Sequence, residues 1–124
     1  MDIASEKILV EGLDDSVDLS QVHWHVAREN PSAPLSEVQK KTLETIRSLV
    51  EGGLFTLGSM SGEGGRFVAW DTPLDESIKE IHDVYVNQFD DRPQWVWYCW
   101  LDLTDKGRQI AQSFYDKYKD TLLD

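Results

Sequence analysis

Trp95-Val96-Trp97-Tyr98-Cys99-Trp100-Leu101-Asp102-Leu103-Thr104 is the stretch whose reading decides the fold. It holds three of the chain's five tryptophans. Successive side chains of a strand point to opposite faces. Trp95, Trp97, Cys99, Leu101 and Leu103 would then share one face, and Val96, Tyr98 and Trp100 the other. Both faces are apolar for most of the run, as in a central strand covered on two sides. The pattern predicts a core built around this strand, with Trp97 and Leu101 buried together. Cys99 is the only cysteine. It has no internal disulfide partner, and its apolar surroundings predict an inert buried thiol.

Upstream, Asp90-Asp91-Arg92-Pro93 breaks a helix that starts at Thr72-Pro73-Leu74-Asp75, where threonine caps and proline takes the first helical position. The spacing predicts helix over 74–89, burying Leu74, Ile78, Ile81 and Tyr85. Asp75, Glu76, Lys79, Glu80 and Asp83 then face water. Before it come a short apolar run, Phe67 to Trp70, and a glycine-rich loop, Gly58 to Gly65. Leu54-Phe55-Thr56-Leu57 alternates as a strand does. Residues 36–51 give the clearest helix. Ser36 and Gln39 form a capping-box pattern, Val38, Leu43, Ile46, Leu49 and Val50 form the apolar stripe, and Gly52-Gly53 ends it. Lys40, Lys41 and Arg47 lie on its polar face. Asp18 caps a further helix over 19–29, closed by Asn30-Pro31. Lys7 to Glu11 reads equally as strand or helix start, before a turn at Gly12 to Ser16. Downstream, Thr104 caps a last helix carrying Ile110, Ala111, Phe114, Tyr118 and Leu122. No repeat or linker divides the 124 residues, so one domain is expected.

The charge is concentrated. Twelve basic against 23 acidic residues give a net of −11. Residues 1–30 hold seven acids and two bases, residues 71–91 seven acids and one base, and the rest balances. Such a field repels phosphate backbones and anionic membranes and favours basic partners. The same acidity also serves solubility. The sequence has neither a signal-peptide pattern nor a membrane-length apolar run, so a cytoplasmic location is expected.

Two segments carry a resemblance. The helices at 18–51, ending in Leu49-Val50-Glu51-Gly52-Gly53-Leu54-Phe55, and the run Leu101-Asp102-Leu103-Thr104-Asp105-Lys106-Gly107-Arg108 together resemble a winged-helix domain. The resemblance covers roughly 18–57 and 95–122. It implies an α+β fold with helices packed on a small antiparallel sheet. The departure is an insertion at 58–94 with its own helix, where a plain wing has a short loop. Gly64 to Pro73, followed by the acidic helix and the tryptophan-rich run, is similar to small bacterial proteins of uncharacterised activity. The resemblance also implies a nucleic-acid reading, with 36–51 as recognition helix and Lys40, Lys41 and Arg47 as candidate contacts. Three bases in so acidic a chain give that reading little support.

Candidate chemistry is sparse. His23 and His25 diverge by about 200° on a helix, and neither Cys-x-x-Cys nor His-Glu-x-x-His spacing occurs. No metal and no cofactor are expected. The loop Gly58 to Gly65 lacks the Gly-Lys-Ser/Thr end of a phosphate loop. Asp14-Asp15 and Asp90-Asp91 sit in turns, and no serine elbow or cysteine–histidine signature is present. The expectation is a non-enzymatic protein-binding module, monomeric or homodimeric. Asp75, Glu76, Glu80 and Asp83 are its candidate contacts for a basic partner. One concrete form is an immunity-type protein neutralising a basic toxin; the alternative is a winged-helix transcriptional regulator.

Overall fold

The structure, a computed structural model, describes residues 1–62 and 65–122. Among them are α1 (Ile3–Asp14), β1 (Val17–Asp18), α2 (Leu19–Glu29), α3 (Leu35–Glu51), β2 (Phe55–Met60) and β3 (Phe67–Ala69). α4 (Leu74–Tyr85), α5 (Arg92–Trp95), β4 (Trp100–Leu103) and α6 (Asp105–Leu122) follow. The fold is α+β, with a four-stranded antiparallel sheet in the order β1-β4-β2-β3.

β4 lies between β1 and β2, with Leu101 opposite both Val17 and Leu57. All three are buried, so this face of the sheet enters the core. The central strand is therefore much shorter than the tryptophan stretch. Trp95 lies in α5 and is fully buried, Trp97 is 63% exposed, and of the three only Trp100 belongs to β4. The expected joint burial of Trp97 and Leu101 is thus corrected. Pro93 suits the first turn of a helix, and the turn it opens replaces strand alternation. It turns Trp95 toward Tyr85 and Phe89, whose rings lie 5.0 Å from the Trp95 ring, with Phe89 stacked at 15°. The Trp95 indole donates to the Phe89 carbonyl at 2.7 Å. Cys99 is fully buried, and burial pushes its thiol well above the ordinary range.

Local signals account for the helices. Asp18 and Gln21 form a reciprocal capping box at α2. α3 begins one residue earlier than expected, with Pro34 at the cap and no side-chain cap bond, so the Ser36–Gln39 box is not used. Its end is a Schellman motif: Gly53 has φ +74, its N–H donates to the Val50 carbonyl, and that of Leu54 to Leu49. α4 starts at Leu74 with Pro73 rather than Thr72 at the cap, and the Thr72 hydroxyl instead pairs with that of Ser77 at 2.6 Å. It ends at Tyr85, four residues short of expectation. Gly58 to Met60, read as loop, extend β2. α1 settles the ambiguous amino-terminal region as helix, capped by Asp2.

Thr104 ties β4 to α6. Its hydroxyl donates to the Gly53 carbonyl at 2.6 Å and accepts from the Gly107 N–H at 3.0 Å. Gly107 is buried at a point of close approach, where a Cβ would stand 2.0 Å from the Leu54 carbonyl oxygen. The threonine and glycine thus hold the first turn of α6 against the start of β2.

Candidate functional site

The acidic helix α4 lies along α3. Ile78, Ile81 and Tyr85 are buried beneath it, while Asp75, Glu76, Glu80 and Asp83 are all exposed. The 3.6-residue period explains the division: positions 78, 81 and 85 face inward, and the acids fall outside that stripe. The Gln39 amide also donates to the Tyr85 carbonyl at 3.4 Å.

One side chain from each candidate set meets the other. Arg47 of α3 donates to Asp75 of α4 at 2.6 Å and also reaches Glu51 at 3.4 Å. The Asp75 bond is the chief cause holding the guanidinium above its ordinary pKa. A base expected to meet phosphate thus sits between two carboxylates, and Asp75 is an acid already engaged. The three α3 bases are also split. Lys40 and Arg47 line a groove of ≈ 300 Å³ between α3 and α4, with Leu43, Ile78 and His82. Lys41 lines a separate groove of ≈ 910 Å³ with Met1 to Ser5 and Glu29. The sequence places Lys40 and Lys41 side by side; one step along a helix turns neighbours by about 100°, enough to part them.

Glu80 and Asp83 face a different neighbour. Trp70, Tyr98, Glu80, Asp71, Thr72 and Ser59 line a pocket of ≈ 250 Å³. The Trp70 and Tyr98 rings are 5.7 Å apart at 70°. Burial raises the Tyr98 phenol pKa, and the negative charges of Glu80 and Asp83 add to the effect. Sequence inspection missed this site, because its parts come from β2, the end of β3, α4 and the segment before β4. The available signal was Trp70 beside the acidic stretch 71–91.

His23 and His25 serve packing. Nδ1 of His23 pairs with the Tyr85 hydroxyl, and the His23 ring lies 5.4–5.7 Å from the rings of Phe89 and Trp95. His25 is 1% exposed, with Nε2 3.0 Å from Glu11 Oε1. That approach falls outside hydrogen-bond geometry, and Nε2 has no other protein partner among the described residues. We read it as a close polar contact without a directed bond. Among the described residues no three His, Cys, Asp or Glu are grouped to hold a metal, and no described helix is long and apolar enough to cross a membrane.

Burial, and then the nearby Arg92 charge, lower the His23 pKa below its ordinary value of 6.5. The unfolded chain therefore takes up the proton first as pH falls. His23 contributes fully to stability above about 6.5, and that contribution is lost on acidification below it. Melting at pH 7.5 and 5.5 should show a loss at the lower pH that is smaller in His23→Gln. An equal loss in both proteins would assign the effect to other groups.

No family model matches the chain, and no curated protein or solved structure shows significant similarity to it.

Proposed function

We propose that the chain is a non-enzymatic, acidic protein-binding module that docks a basic partner through the outer face of α4. The observation that carries this reading is the exposure of four carboxylates on one helix whose opposite side is anchored in the core. A fixed helix presents its charges without the ordering cost of a loop, and such a field raises association rates. An immunity-type protein that neutralises a basic toxin is the concrete form we favour.

A winged-helix-like architecture is part of the proposal. In its support, α2 and α3 precede the β2–β3 hairpin, and β4 returns between β1 and β2. The same order favours a second reading, a DNA-binding regulator using α3 as recognition helix. Against it stand the neutralisation of Arg47 and the acidic helix alongside α3.

The test is capture from native lysate at low salt. The bait is the wild-type chain or the variant Asp75→Asn/Glu76→Gln/Glu80→Gln/Asp83→Asn, with duplex DNA titrated in parallel. Wild type should retain a basic protein that the variant retains poorly. The melting temperature should barely change, because exposed ion pairs contribute little. Equal capture by both baits contradicts the proposal. Sub-micromolar, sequence-selective DNA binding lost in Lys40→Glu/Lys41→Glu would establish the regulator in its place.

A further inference from the structure

We infer that the pocket between Trp70, Tyr98 and Glu80 receives a single side-chain cation, the head group of a lysine or arginine on a protein partner. The inference deepens the docking reading and rests on it only for what carries the cation.

Two kinds of group converge on this pocket. Trp70 and Tyr98 are half-buried against the main core, and their planes, 70° apart, form an aromatic corner. Asp71 and Glu80 line the same space, and the charge of Asp83 reaches the Tyr98 hydroxyl. The faces of indole and phenol rings attract cations, and carboxylates beside them strengthen that attraction.

Other occupants fit less well. An anion would meet two carboxylates, Asp71 and Glu80. A neutral apolar group would bury Asp71 and Glu80 against nothing that neutralises them. A metal ion would find no set of three ligands among the described residues. An alkylammonium or guanidinium satisfies both the rings and the acids.

The walls are also held in place before binding. The Trp70 indole N–H donates to the Ser59 hydroxyl at 2.6 Å, and its backbone N–H to the Leu57 carbonyl at 3.0 Å. Glu80 stands on α4, anchored by fully buried Ile81 and Tyr85. A preorganised corner loses little freedom on binding. Its position at the acidic face of α4 means a partner drawn by the field meets a pocket fitted to one of its charges.

The test needs no identified partner. In ¹⁵N-labelled protein, the Trp70 indole N–H resonance is followed as N-acetyl-arginine methylamide, N-acetyl-lysine methylamide or the neutral N-acetyl-norleucine methylamide is added. Both cations should shift it saturably, and norleucine should not. Glu80→Gln and Tyr98→Leu should each weaken the cation's apparent affinity about fivefold. Unmoved resonances from the other four tryptophans would show that both variants keep the fold. No shift, an equal response to norleucine, or unchanged affinity in both variants would overturn the inference. Failure here and failure of the docking reading are separable. Cation binding without a captured partner leaves the pocket standing and removes the docking. A captured partner with a silent Trp70 does the reverse.

Discussion

Trp95→Ala is expected to lower the unfolding free energy by about 3–5 kcal/mol, the usual cost of emptying a large buried aromatic site, while Trp97→Ala changes it by about 0.5 kcal/mol or less. The contrast arises from two residues of one type, two positions apart. Trp95 is fully buried, stacks on Phe89, lies tilted against Tyr85 and edge-on to His23, and donates its indole N–H to a backbone carbonyl. Its removal would leave a cavity and orphan the Phe89 carbonyl. It would also loosen the support under the end of α4, where Tyr85 meets His23 of α2. Trp97 is 63% exposed and has little to lose. Urea denaturation of both variants checks this. Comparable losses, or a larger loss in Trp97→Ala, would return the tryptophan stretch to the extended strand that its alternation suggests.

The second large effect is expected at Gly107, where alanine should destabilise by about 1–3 kcal/mol. Helix propensity alone points the other way, since alanine is favoured over glycine inside a helix by about 1 kcal/mol. The sign reverses because the new Cβ would stand 2.0 Å from the Leu54 carbonyl oxygen and 3.0 Å from Leu103 Cδ2. A backbone oxygen cannot swing aside, so the first turn of α6 would have to lift from β2. That movement strains the Thr104 bonds to Gly53 and Gly107. Gly62→Ala is the control, because a Cβ there meets nothing within 4 Å among the described residues. A Gly107→Ala protein as stable as wild type in thermal melts would show that α6 does not sit this close.

Residues with short-range signals were legible in the sequence. Asp18 capped α2 as expected, Gly52-Gly53 ended α3, and Ile78, Ile81 and Tyr85 proved to be the buried face of α4. The tryptophan stretch was misread because apolar alternation on both faces resembles one short helical turn followed by a short strand. Pro93 was the local sign of that turn. α1 was ambiguous because Gly12 reads as a turn residue. It stands inside the helix because Leu103 and Phe55 press against it, within 3.1 Å of where a Cβ would lie. The acids of α4 were legible as exposed, but their neighbours were not. Arg47 and Asp75 are separated by 28 residues, and Tyr98 meets Trp70 across the whole of α4 and α5. Pairings at such distances depend on how the helices pack, which no local pattern encodes.

We propose that the exposed carboxylates of α4 draw in a basic protein. The most direct measurement is the association rate of the captured partner, from low to high ionic strength, for wild type and the four-amide variant. Interactions between exposed charges fade beyond a screening length of about 8 Å at physiological salt, so steering should act on the rate and vanish as salt rises. Wild-type association should be fast at low salt and slow steeply as salt is added. The variant should start slower, respond weakly, and converge with wild type at high salt. Superimposable rates and affinities across the whole series would contradict the proposal, leaving the charge of α4 to solubility alone.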